Sequence, residues 1–101
     1  MSEPSITRPF IAIDPGGKEI EACLSVAAPT EKSGGEWGVF VHIRGLDERQ
    51  REVFGIDGWQ ATQLGMRFLG SRLEHFYDQQ WRFRWEAEGD VVPPADLLGA
   101  I

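Results

Sequence analysis

Gly55-Ile56-Asp57-Gly58-Trp59-Gln60-Ala61-Thr62-Gln63-Leu64-Gly65, continuing to about Gln80, decides how the rest of this chain is arranged. Asp57 suits a helix N-cap, because its carboxylate can accept from the free N–H groups of a first turn. Gln60, three residues on, can reach back to complete a capping box. From there apolar residues recur at helical spacing. At about 100° per residue, Ala61, Leu64, Gly65, Met66, Phe68, Leu69, Leu73 and Phe76 share one broad side. Gln60, Gln63, Arg67, Gly70, Ser71, Glu74 and Asp78 share the other. The stretch predicts one amphipathic helix over 57–80, lying on an apolar surface. Gly65, near the middle of the apolar side, costs about 1 kcal/mol in helix propensity. It reads as a packing device that lets the helix backbone approach what it covers.

The surface under the helix has to come from strands. Ile6 to Ile13 reads as a strand, and Pro9 inside it cannot donate to a ladder. That strand therefore belongs at a sheet edge or starts after Pro9. Asp14-Pro15-Gly16-Gly17 is a turn. Lys18 to Ala27 alternates, with Ile20, Ala22, Leu24 and Val26 on one face, so the two segments make a hairpin. Pro29 to Glu36 is a polar, glycine-bearing connection. Trp37 to Arg44 places Trp37, Val39, Val41 and Ile43 on one face and Gly38, Phe40, His42 and Arg44 on the other. Gly45-Leu46-Asp47 turns the chain into a charged fourth strand, Arg49 to Phe54.

Beyond the helix, Trp81 to Glu86 alternates as a short fifth strand or cover segment, and Val91-Val92-Pro93-Pro94 cannot be regular helix. The expected fold is a single α+β domain over 1–101. It has an antiparallel sheet of four or five strands and one long helix across one face. Residues 1–5 form a loose leader and 87–101 an extended tail.

Composition narrows the function classes. The chain has 101 residues, 42% of them hydrophobic, with four Trp and six Phe, enough for one core. Its formal charge of −6 argues against nucleic acid and acidic membrane surfaces, and only Arg82 and Arg84 come near a basic cluster. Cys23 is the sole cysteine, so no intrachain disulfide and no cysteine metal site is expected. With no signal-like start and no long apolar run, a soluble cytoplasmic protein is the expectation.

Candidate chemistry is sparse. A helix start flanked by Gly55 and Gly58 could take an anion, but Asp57 already puts a negative charge there, so it is read as a cap. His42, His75 and Cys23 complete the soft ligands and easy bases, and no tight ligand spacing joins them. No metal or cofactor is expected. The carboxylates Glu19, Glu21, Asp47, Glu48, Glu52, Glu74, Asp78, Glu86, Glu88 and Asp90 read as a solvated surface, with Arg82 available to pair with Asp78. Trp81, Phe83 and Trp85, interleaved with Arg82 and Arg84, are the candidates for a ligand-binding aromatic pocket; closing the core beside Phe76 is the weightier reading.

The run from Gly55 to Gly65 resembles a Gly-hydrophobic-Asp-small-x-Gln-Ala-x-x-Leu-small signature found in a group of small, uncharacterised bacterial proteins. The resemblance covers about residues 37 to 86. This chain has glycine at 58 and 65 where that pattern has serine and alanine, and its tail from Asp90 is longer. The resemblance implies a bacterial α+β protein and carries over no catalytic residue.

The leading expectation is a non-enzymatic accessory or protein-interaction protein. Its rivals are a small-ligand binder using the aromatics and a hydrolase or isomerase using carboxylates and His42. One helix covers one sheet face, which leaves Phe40 and His42, beside Cys23, on the other. Either the tail, through Val91-Val92 and Leu97-Leu98, folds over that face or two copies pack there as a homodimer. The Pro93-Pro94 break favours the dimer, with Phe40 and His42 as interface residues.

Overall fold

The computed structural model describes residues 5–99; residues 1–4 of the expected leader and 100–101 of the tail lie outside the described residues. The chain runs β1 (Ser5–Ile13), β2 (Glu19–Ala27), β3 (Thr30–Glu31), β4 (Trp37–Arg44), β5 (Arg51–Gly55), α1 (Gly58–Asp78), β6 (Arg82–Arg84), β7 (Val91–Val92) and α2 (Pro94–Leu98). The class is α+β, as expected, but the sheet has seven strands rather than four or five. The additional strands β3 and β7 are two residues each, too short to show alternation.

All pairings are antiparallel. β1 lies between β2 and β6, β7 follows β6, and β4 lies beyond β2 with β5 on its far edge. The β1–β2 hairpin is in register from Ser5 opposite Ala27 to Ile13 opposite Glu19. Its turn is held by Asp14 Oδ1, which accepts from the N–H groups of Gly16 and Lys18, both at 2.9 Å. β1 runs straight through Pro9. β6 pairs with β1 only from Ile11 onward, so Pro9 falls on a free stretch of edge where a missing N–H breaks no ladder. β3 continues the line of β2 along β4. Val26 faces Val41 and Thr30 faces Gly38, so residues 26 to 30 oppose residues 41 to 38, one residue more on the β2–β3 side. That is a bulge at Ala28-Pro29, and the connection read from Pro29 onward begins as strand.

The core lies between the sheet and α1. Phe10 and Ala12, then Ala22, Leu24 and Val26, then Val39, Val41 and Ile43, with Phe83, all point to one side. From above, α1 buries Ala61, Gly65, Leu69 and Leu73, one row at four-residue spacing. The row is small at its N-terminal half and leucine at its C-terminal half. A Cβ at Gly65 would stand 2.9 Å from Cγ1 of both Val39 and Val41, so the backbone approaches β4 there as closely as it can. Asp57 caps α1, its Oδ1 accepting from Gln60 N at 2.8 Å. Gln60 Oε1 in turn accepts from Ile56 N at 2.8 Å, one residue earlier than the capping box requires.

The tail corrects the expectation of an extended arm over 87–101. β7 pairs with β6. Pro94 opens α2 at a first-turn position, where its absent N–H is not needed. Leu97 is fully buried, and its carbonyl oxygen accepts from Arg8 Nη1 at 2.8 Å. α2 docks beside α1, on the core side of the sheet. Gly70, expected to face water, faces Leu98 instead, with a Cβ there 3.3 Å from Leu98 Cδ2.

Candidate interaction surface

The alternation that sends Val39, Val41 and Ile43 under α1 sends Gly38, Phe40, His42 and Arg44 to the opposite face of β4. Register extends that face. Ser25 lies opposite His42, Cys23 opposite Arg44, and Thr7 and Pro9 opposite Ser25 and Cys23 in turn. On β5, Glu52 lies opposite Phe40 and Phe54 opposite Gly38. Among the described residues, both helices lie on the core side, so no second layer covers this face. The described chain measures 45 × 28 × 20 Å, and its least dimension is what one sheet plus one helix layer spans.

The face mixes uncharged and charged residues. Cys23, Ser25, Thr7, Pro9, Phe40 and His42 are its uncharged residues, with Arg44 directly opposite Cys23 and Glu52 directly opposite Phe40. Around them lie two ion pairs: Lys32 Nζ to Glu52 Oε2 at 2.6 Å, and Arg84 Nη1 to Glu19 Oε2 at 2.8 Å. Lys32 also stands 5.9 Å over the Phe40 ring. His42 Nε2 is 2.9 Å from the Asp47 carbonyl oxygen, which can only accept, so Nε2 carries the hydrogen. Asp47 also binds the helix side. Its carboxylate takes Arg72 Nη2 at 2.6 Å and Nε at 3.2 Å, and the guanidinium lies 5.0 Å over Phe76. That bidentate hydrogen bond raises Arg72 above the ordinary arginine range against the opposing effect of burial. The β4–β5 loop is therefore pinned from both sides of the sheet.

Phe40 and His42 thus share the open face, with Cys23 one diagonal step from His42 on the neighbouring strand. Cys23 Sγ contacts the Leu24 carbonyl oxygen at 3.4 Å and His42 is tied to Asp47, so each is engaged away from the other. The aromatics proposed for a ligand pocket are not brought together. Phe83 is fully buried, edge-on to Phe10 at 5.7 Å. Trp81 packs edge-on to Phe76 at 5.5 Å, and Trp85 lies under Arg8 at 5.3 Å. Arg82 turns to Tyr77, its guanidinium 4.1 Å over the ring, rather than to Asp78. Among the described residues, no group of three or more His, Cys, Asp or Glu side chains could hold a metal ion.

Sequence reading missed a second exposed group. Phe54, Ile56 and Trp59 are 51%, 76% and 77% exposed at the corner where β5 enters α1. A signal was available: Trp59 falls roughly 100° from the centre of the buried helical row, too far to join it.

A two-layer α+β domain with one bare sheet face is the class this geometry defines. The family model for a domain of unknown function, DUF6968, matches residues 6–94, and the chain belongs to that family. The match runs from β1 to the first residue of α2, well beyond the 37–86 suggested by the helix-entry signature. Comparison with curated proteins and with solved structures finds no match.

Proposed function

We propose that this chain is a non-enzymatic protein-interaction module that pairs with a second copy through the open face of its sheet. What supports this reading is that face itself: the described residues leave it uncovered, with Phe40 exposed beside His42, Cys23, Ser25, Thr7 and Pro9 and with ion pairs toward its rim. Protein contact surfaces are enriched in exposed aromatic residues, with a polar rim. A stable pair needs about 800 Å² from each partner, within reach of a described chain whose two longer dimensions are 45 and 28 Å. α2 docks on the core side, so the described part of the tail does not cover the face. Among the described residues no helix is long and apolar enough to cross a membrane. A cytoplasmic, bacterial setting accords with the free thiol of Cys23 and with the helix-entry signature.

Light scattering after size exclusion tests the reading. Wild type is expected at twice the chain mass at high micromolar concentration, and Phe40→Asp at the single mass with an unchanged circular dichroism spectrum. A monomeric wild type under those conditions overturns the pairing.

A further inference from the structure

We infer that the chain has a second contact surface, at the corner where β5 enters α1, which takes a protein segment carrying an arginine or lysine flanked by apolar side chains. A shallow depression of about 530 Å³ lies there, floored by Gly34, Gly35 and Gly55 and walled by Glu36, Phe54 and Ile56. The floor is bare by necessity at Gly55, where a Cβ would meet Ala61 N at 2.5 Å and Ala61 Cα at 2.8 Å. Two of the walls are large apolar side chains left in water, and Trp59 stands exposed on the first turn beyond them. Folding explains none of these exposures, since burying any of the three would be favourable.

Glu36 chooses the occupant. It is the one charged residue lining the depression, and among the described residues it has no ion-pair partner. Its carboxylate lies over the floor, 2.8 Å from where a Gly34 Cβ would be. Lys32, the nearest base in sequence, is held by Glu52. An arginine or lysine is the side chain that uses both features, laying its aliphatic stem along Phe54 and Ile56 while its charged head meets Glu36. A second copy meeting this surface with its own is the poorer occupant, because it would set its own Glu36 against this one. This surface lies at the end of the sheet; it meets the bare face at Phe54, opposite Gly38, and is not lined by Phe40 or His42.

The test uses the full chain, isotope-labelled, and two blocked synthetic peptides, one alternating leucine with arginine and one alternating leucine with glutamate. Amide shifts are followed by nuclear magnetic resonance. The leucine–arginine peptide should shift Gly34, Gly35, Glu36, Gly55 and Ile56 saturably, and the leucine–glutamate peptide should not. Glu36→Gln should weaken the first titration about three- to fivefold, the scale of one exposed ion pair. Ile56→Asp should weaken it further while the remaining spectrum stays in place. Absence of saturable shifts at millimolar peptide overturns the inference. So does an equal response to both peptides, or a response centred on Phe40 and His42. Because the readout is local, failure here is separable from failure of the pairing, which is read by mass.

Discussion

Two glycines set the distance between helix and sheet. At 58, a Cβ would come within 3.3 Å of the Trp37 ring and 3.2 Å of Pro29. At 65, it would press on Val39 and Val41 together. Gly65→Ala should therefore destabilise the chain despite its better helix propensity, and Gly65→Leu should cost at least the 1–3 kcal/mol typical of overpacking. Gly70→Ala meets only the half-buried tip of Leu98, which can turn aside, so the gain of about 1 kcal/mol in propensity is mostly retained. Denaturant midpoints compare the variants directly; equal midpoints for positions 65 and 70 would contradict the close approach to β4. Asp57→Ala removes the acceptor for Gln60 N and should lower stability by about 1 kcal/mol in the same assay.

Among the elements, α2 is the one whose weight is out of proportion to its length. Leu97 is fully buried against the core, so Leu97→Ala should cost about 2–5 kcal/mol, measured by chemical unfolding. A loss below 1 kcal/mol would mean that the tail is not docked. The Asp47–Arg72 clasp is partly exposed and should matter less: Asp47→Asn is expected to cost about 1 kcal/mol. Its pH sense follows from the raised arginine. That contribution is complete below the ordinary arginine range and is lost only in strong alkali, so Arg72 confers no pH dependence near neutrality. Sequence made these elements unequally legible. The hairpin, β4 and α1 carry alternation or helical spacing over eight or more residues each. β3 and β7 are too short to carry either. Pro93-Pro94 reads as a break in a chain met without its neighbours. In the fold, the same prolines start a helix whose one buried leucine is selected by tertiary contact. The candidate surfaces divide in the same way. Phe40 and His42 follow from strand parity alone. The depression around Glu36 needs the β3–β4 turn beside the end of β5, a juxtaposition of residues about twenty apart that no local pattern encodes.

In the molecule as a whole, the described residues cover one sheet face and leave the other bare, and the proposed pairing through it should make the melting temperature rise with protein concentration. Phe40→Asp should remove that dependence; a wild-type melting temperature constant over a hundredfold dilution would speak against pairing. The sheet's edges carry a different consequence. On one flank, the unpaired stretch Ser5 to Phe10 is interrupted by Pro9 and crowded by Arg8 bound to Leu97, and β7 beyond it offers two residues. On the other flank, β5 presents five residues paired on one side only. Fibrous growth by strand addition needs two receptive edges per molecule, so that each newcomer offers a fresh template. This chain has one. Edge-to-edge association between copies would therefore end at two molecules, back to back through β5, and the fold is protected against runaway polymerisation by the proline in its first strand.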